Sequence, residues 1–365
     1  MRIAFLGLKG IPFPAGIENF TEEVGCRLAA RGHDVTVYVR PYVSVAAQYR
    51  GMRIIRLPSI NTKHLDALTH TFLGALHVLG TRPDVVHIHA LGPSVFAVLP
   101  RLVRIATVVQ VHGLDWEREK WGAFARTCLH TAEYPAVYFP HRTIAISRTL
   151  QNYFSRRYGR DVDYVPTGVA PGNDAKPELI RDLGLEPDSY VLFLGRLVPE
   201  KGCHYLLEAW KDLGTAKKLV MAGPASHTED YADLLRRSSG ENVIFTGAVG
   251  GRLLDELYAN AYLYVLPSDV EGLPHSLLHA LSFGKCALAS DIDANREALG
   301  DCGVTFRKGD VADLREHLRA LLADPEAVRA LGARGRERAR EYDWDNVVDR
   351  LEAVYRRTMA SRSTG

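Results

Sequence analysis

A guanidinium and an ammonium five residues apart on a glycine-flanked loop suit the capture of an anion. The chain carries such a pair, Arg196 and Lys201, within Gly195-Arg196-Leu197-Val198-Pro199-Glu200-Lys201-Gly202. Arginine grips two oxygens at once and lysine acts as a point charge, so a diphosphate is the natural ligand. Solvated surface charge is the competing account. A second loop, from Pro267 to His279, holds Glu271-Gly272-Leu273-Pro274 between an apolar run and a helical pattern. Its Gly272, Leu273 and the residues before Ser276 would offer backbone N–H groups beside the Glu271 carboxylate. Phosphate would be repelled there, so sugar hydroxyls suit Glu271 better. An ordinary acid at a helix start is the alternative.

Two further segments sit after apolar runs. Gly7-Leu8-Lys9-Gly10-Ile11-Pro12-Phe13-Pro14-Ala15-Gly16 combines three glycines with one cation, allowing close backbone approach to a ligand. Its spacing is not the dinucleotide fingerprint G-x-G-x-x-G, and a turn with glycines for conformational reasons is the plainer account. His112 opens His112-Gly113-Leu114-Asp115-Trp116, where it could donate to a sugar hydroxyl or steady a developing charge; a lone histidine is more often structural. Asp291-Ile292-Asp293 matches a D-x-D metal pair, a pattern common by chance. His87 and His89 alternate and so share one strand face, with no third ligand evident. No G-x-S-x-G elbow is present.

These loops need a scaffold. The chain has 365 residues, 47% hydrophobic and 24% charged, enough for about two cores of ordinary size. Lysine plus arginine number 45 against 43 acids, a formal +2 that gives nucleic-acid binding no support. Five scattered cysteines without a C-x-x-C read as reduced thiols in a cytoplasmic protein, neither a disulfide frame nor a zinc site. No apolar run has the length of a membrane span, and the N-terminus enters a strand at once, with no signal peptide.

Strands are expected at 3–6, 35–39, 53–57, 85–89, 107–111 and 143–146, with an amphipathic helix over 18–31 that repeats Phe20, Val24 and Leu28 on one face. Gly32 suits its left-handed cap. Residues 165–174 are rich in Pro and Gly and read as a linker. The pattern then restarts, with strands at 191–194, 219–221, 243–245, 262–266 and 286–289 and a helix over 203–213. Continuous apolar strands alternating with helices imply parallel sheets covered on both faces. Two doubly wound α/β domains facing a cleft are therefore expected. A last helix over 345–359 carries Val347, Leu351, Val354 and Tyr355 on one face, with Asp343 or Asp345 as its cap. It must bury that stripe on its own domain or on the first.

Together these residues resemble the family 4 retaining glycosyltransferases of GT-B fold, over nearly the whole chain. The family's Gly-Arg/Lys-x4-Lys-Gly is matched by Gly195-Arg196, Lys201 and Gly202, and its Glu-Gly-x6-Glu by Glu271-Gly272. The N-terminal half is similar to bacterial rhamnosyltransferase-like enzymes of surface-polysaccharide assembly. It shares Gly7-x-Lys9-Gly10-Ile11-Pro12, Gly16-x-Glu18-x-Phe20, and His112-Gly113-Leu114-Asp115-Trp116-x-Arg118-x-Lys120-Trp121-Gly122. The resemblance implies two facing Rossmann-like domains: an acceptor domain over 1–168 joined by a returning helix over 345–365, and a nucleotide-sugar donor domain over 175–344. It implies a hexosyl transfer, with retention, from a nucleotide-diphosphate sugar to an acceptor hydroxyl. Arg196 and Lys201 would bind the diphosphate and ease its departure, with the Gly10 to Gly16 loop bringing backbone N–H groups to it. Glu271, Gly272, Leu273 and Pro274 would hold the donor sugar, with His112 near the reacting sugar. No metal or other cofactor is implied.

One position departs from the pattern. The family's second glutamate, which accepts from both ribose hydroxyls, is His279 here. A neutral imidazole has one acceptor, and losing a charged hydrogen bond costs roughly 1.5–3 kcal/mol. A dTDP-sugar, lacking the 2′-hydroxyl, is therefore a candidate donor beside UDP-sugars. The rival readings are a nucleotide-sugar 2-epimerase and a non-catalytic sugar-nucleotide-binding protein; a nicotinamide dehydrogenase is disfavoured by the missing fingerprint. The acceptor is open. Arg101, Arg104, Arg156 and Arg157 suit peripheral contact with anionic lipid headgroups, as a lipid-linked acceptor would need, and suit plain solvation equally well.

Overall fold

The computed structural model describes residues 1–13, 15–62, 65–114, 116, 122–225 and 228–361. The chain divides into two compact units, Met1–Gly168 with Trp344–Gly365, and Val169–Asp343.

The first unit is built on an eight-stranded sheet. Its strands are β1 (Arg2–Leu6), β2 (Asp34–Val39), β3 (Gln48–Tyr49), β4 (Met52–Arg56), β5 (Val85–His89), β6 (Ala106–Val111), β7 (Arg142–Ala145) and β8 (Val162–Tyr164), in the order β3-β4-β2-β1-β5-β6-β7-β8. All neighbours run parallel except β3 against β4. β5 and β6 are buried along their whole length, as strands covered on both faces must be. The chain leaves β1 in one direction to β2 and later returns on its other side as β5, so the strand order reverses between β1 and β5.

The helix Gly16–Ala30 buries Phe20, Val24 and Leu28 as its periodicity requires. It ends as expected: Gly32 adopts φ +84° and His33 N–H returns to the Leu28 carbonyl. The last helix, Trp344–Ser361, settles the open choice made by its stripe. Val347, Leu351, Val354 and Tyr355 lie in one apolar cluster with Phe5, Phe20, Val24, Val37 and Val108 of the first unit. Charge fixes its register: Arg31 pairs with Asp349 at 2.6 Å and Arg357 with Asp163 at 2.7 Å.

The second unit has six parallel strands, β9 (Tyr190–Leu194), β10 (Lys218–Ala222), β11 (Val243–Gly247), β12 (Leu263–Leu266), β13 (Ala287–Ser290) and β14 (Val304–Phe306), ordered β11-β10-β9-β12-β13-β14. Here the reversal falls between β9 and β12. Three strands were not anticipated: β3, β8 and β14 are two or three residues long and carry polar residues. The helix expected over 203–213 closes earlier, as Cys203–Trp210. No helix among the described residues is long and apolar enough to cross a membrane.

Candidate active site

In open parallel sheets the crevice for ligands lies beyond the carboxyl ends of the strands, where the strand order reverses. In the second unit that point is the β9/β12 pair, and the loops leaving these two strands are 195–202 and 267–274. They touch closely. Gly202 sits at φ +65°, and a Cβ there would fall 2.0 Å from the Pro267 carbonyl oxygen, so only glycine fits. Asp269 N–H donates to the Glu200 carbonyl at 2.9 Å, and Tyr205 Oη to Asp269 Oδ2 at 3.3 Å. Bound this way, the loops bring Lys201 Nζ onto Glu271 Oε1 as a hydrogen-bonded ion pair.

The sequence assigned these two residues separate partners. The structure adds that each is the other's counterion, with side chains 16% and 9% exposed respectively. Arg196 lies half-buried in the same loop, immediately past Gly195. Gly272 follows Glu271, and Leu273 and Pro274 are buried where the helix His275–Ser282 begins. That first turn is fixed by Tyr264 Oη donating to Ser276 Oγ at 2.8 Å. The first turn of any helix has N–H groups without intrahelical partners, which suits oxygen-rich ligands.

His279 lies one turn further along. Its ring centroid is 4.7 Å from that of Tyr258 and 5.3 Å from that of Phe283. Burial, with the charge of His275 adding, holds its pKa down at about 3, so it is neutral at physiological pH. The residue replacing the family's glutamate is thus an uncharged ring set among aromatics.

In the first unit the reversal between β1 and β5 gathers Gly7–Gly16, His89 and, from the end of β6, His112. Gly7, at φ +89°, rests on the His89 backbone, where a Cβ would come within 2.5 Å of its carbonyl oxygen. The loop is tied back by Lys9 N–H donating to Glu18 Oε1 at 2.8 Å. Gly10 packs against Val43, whereas a side chain at Gly16 would meet nothing within 4 Å. Packing around its own position therefore does not require glycine at Gly16.

His112 is joined to the strand face that the alternation of His87 and His89 predicted. His89 Nδ1 and His112 Nε2 are 3.0 Å apart, and the His87 and His89 ring centroids 4.4 Å. His87 Nδ1 meets Tyr355 Oη at 2.7 Å. Burial, then the neighbouring His112, pushes the His87 pKa down to about 3. Thr21 and Tyr355 give no signal in the sequence: one is an ordinary helix threonine, the other part of an apolar stripe. Asp115, Arg118, Lys120 and Trp121 of the His112 motif lie outside the described residues, as does Pro14 of the first loop. Trp116 donates its indole N–H to the buried Glu133 at 2.7 Å, anchoring the motif by a residue the sequence did not single out.

The D-x-D pair has local employment. Asp291 accepts from Lys308 N–H at 2.9 Å and pairs with Arg296 at 3.2 Å, while Asp293 is exposed at a helix start. No group of three or more His, Cys, Asp or Glu among the described residues is placed to hold a metal ion.

Known proteins share this plan. Residues 14–172 match the family model Glycosyltransferase Family 4, and residues 175–338 match Glycosyl transferases group 1. Sulfoquinovosyl transferase of Arabidopsis thaliana is 24% identical across 96% of this chain and 72% of its own. The structure is similar to sucrose-phosphate synthase from Thermosynechococcus elongatus, with a TM-score of 0.82 at 20% identity over 99% of both chains. Anabaena HepE, solved in complex with UDP and glucose, gives a TM-score of 0.81 at 18% identity over 97% of this chain and 99% of its own. A family 4 match on one half, a group 1 match on the other and the sheet order just described in each unit give the chain the GT-B fold, with a glycosyltransferase model matched by each half.

Proposed function

We propose that this glycosyltransferase moves a hexose from a nucleoside diphosphate sugar to an acceptor hydroxyl with retention at the anomeric carbon. The observation that carries the reading is the Lys201–Glu271 pair at the β9/β12 reversal. It sets a cation suited to diphosphate beside a carboxylate suited to sugar hydroxyls. A nucleotide sugar presents both groups in adjacent positions.

The chemistry asks for little covalent help. Breaking the anomeric bond releases a diphosphate and leaves an oxocarbenium-like carbon. Fixed cations that stabilise the departing charge therefore lower the barrier. Lys201 and Arg196 take that task, and with it the neutralising role a metal ion would otherwise fill. The Gly10–Gly16 loop of the first unit offers backbone N–H groups suited to phosphate oxygens. Glu271, with Gly272, Leu273 and Pro274, holds the donor sugar, and His112 in the first unit is suited to sugar hydroxyls. The acceptor attacks from the face the diphosphate leaves, and a phosphate oxygen takes its proton. The nucleotide is UDP or dTDP; HepE, of the same fold, was solved with UDP and with UDP-glucose. The product belongs to glycan or glycolipid assembly, the field of relatives such as the O-antigen chain mannosyltransferase B of Escherichia coli. All five cysteines are free thiols, which favours the reducing cytoplasm as the place of reaction.

The test is a thermal-shift panel of UDP-, GDP- and dTDP-sugars, followed by transfer assays with and without EDTA. Stabilisation by one nucleotide class and EDTA-resistant transfer are expected. A protein that no nucleotide sugar stabilises would refute the reading, and transfer abolished by EDTA would refute the metal-free part of it.

A further inference from the structure

The hydrogen-bond chain under His112 decides where that residue carries its proton. It starts at Thr21, on the helix Gly16–Ala30. The Thr21 hydroxyl lies 2.8 Å from the carbonyl oxygen of Ile17, one turn earlier. A carbonyl can only accept, so the single hydroxyl proton points there. The same oxygen is 3.1 Å from His89 Nε2. Having spent its proton, it can only accept, and His89 must carry hydrogen on Nε2.

His89 is fully buried. Burial, with His87 and His112 nearby, holds its pKa well below the ordinary histidine value, so the ring is neutral. A neutral ring protonated on Nε2 has its lone pair on Nδ1. His112 Nε2, 3.0 Å away, must therefore donate to it. The ring of His89 has no freedom to turn and reverse this order. Phe5 stacks on it at 5.8 Å with planes 5° apart and Phe20 meets its edge at 5.9 Å. Phe20 also meets the edge of His112 at 5.8 Å.

We propose that Thr21 and His89 are positioning residues that lock neutral His112 with its hydrogen on Nε2 and its lone pair on Nδ1. Neutral His112 is then an acceptor at Nδ1. It can donate there only as an imidazolium. This refines the sequence reading, in which His112 donates. It rests on the proposed role of His112 at the reacting sugar, although the proton order itself does not.

The experiment is nitrogen-15 NMR of the histidine rings in the full-length protein, assigned with His112→Gln, beside kinetics of three variants. In the wild type the His112 Nε2 resonance should show the attached-hydrogen shift and Nδ1 the lone-pair shift. Thr21→Val lifts the constraint and should give a mixture of the two His112 forms. His89→Phe deletes the acceptor and should lower kcat about tenfold while changing the donor KM less than about twofold. His89→Asn, whose side-chain oxygen stands near the lost Nδ1, should recover most of that. A wild-type spectrum with the His112 hydrogen on Nδ1 overturns the proposal whether or not any variant folds. Equal kcat in His89→Phe and His89→Asn overturns the positioning role. Wild-type protein that transfers no sugar but shows the expected spectrum would instead sink the functional reading and leave the proton order standing.

Discussion

Replacing Lys201 by methionine removes an ammonium and keeps most of the stem that packs beneath it. Two losses follow. A charged hydrogen bond to the departing diphosphate is worth roughly 1.5–3 kcal/mol, which corresponds to a fall of about tenfold to a hundred-and-fiftyfold in kcat/KM. Glu271 also loses its counterion. Opposite charges about 4 Å apart at an effective dielectric near 20 attract by about 4 kcal/mol, an upper bound that water in the open loop reduces, and Lys201→Met leaves the Glu271 carboxylate without that attraction. Glu271→Gln in the Lys201→Met background removes that uncompensated charge. The double variant should therefore recover stability, each single change costing about 1–3 kcal/mol and the pair less than their sum. Turnover should not recover, because neither the cation nor the sugar-holding carboxylate is restored. Urea melts and steady-state kcat/KM against donor concentration measure both quantities on the same four proteins. A folded Lys201→Met enzyme with kcat/KM within twofold of wild type would show that the pair is a structural brace and that the diphosphate lies elsewhere.

Three other expectations concern neighbouring residues. Gly202→Ala forces a Cβ against Pro267 at a positive φ, so thermal melting should fall and kcat/KM drop more than about tenfold as the two loops part; unchanged kinetics would mean their contact is dispensable. His279 and His87 are neutral in the fold, each with a pKa near 3. Their folded values lie below the unfolded value of about 6.5, so the unfolded state binds more protons between these limits. Stability is then complete above about pH 6.5 and is lost on acidification, by about 2 kcal/mol per ring between pH 7 and pH 5. Urea melts at the two pH values should show a shallower loss in His279→Phe; an identical loss would mean this ring is not neutral when folded. Finally, calorimetry should find dTDP-sugar bound at least as tightly as its UDP counterpart by the wild type, with His279→Glu shifting the preference toward UDP by about tenfold or more. A clear wild-type preference for UDP would retire the link between this imidazole and the missing ribose hydroxyl.

The strands that carry the loops were legible because each is a nearly unbroken apolar run, and the long helices because their stripes repeat every three or four residues. β3, β8 and β14 escaped since two or three residues with polar neighbours make no pattern. Lys201 and Glu271 were both visible as chemistry, but their pairing across seventy positions depends on β9 lying beside β12, which strand spacing alone does not state. The same holds for the histidines. Alternation placed His87 and His89 on one face, yet only the order β1-β5-β6 brings His112 to that face. Thr21 was invisible because its contribution is a lone pair, available only after its hydroxyl has turned to Ile17.

The last helix belongs to a core begun at the other end of the chain. The polypeptide leaves the first unit after Gly168 and re-enters it at Trp344, whose ring lies against Gly168, while Val169 N–H bonds the Tyr342 carbonyl at 2.8 Å. During synthesis, domains ordinarily close in order of emergence from the ribosome. Here the first sheet appears early but cannot bury Phe20, Val24 and Val108 fully until Val347, Leu351 and Tyr355 arrive. The second unit, uninterrupted in the chain, is complete before that. The N-terminal half is thus the last to finish folding, and a nascent chain stalled short of Trp344 would hold an uncovered apolar face for chaperones to guard.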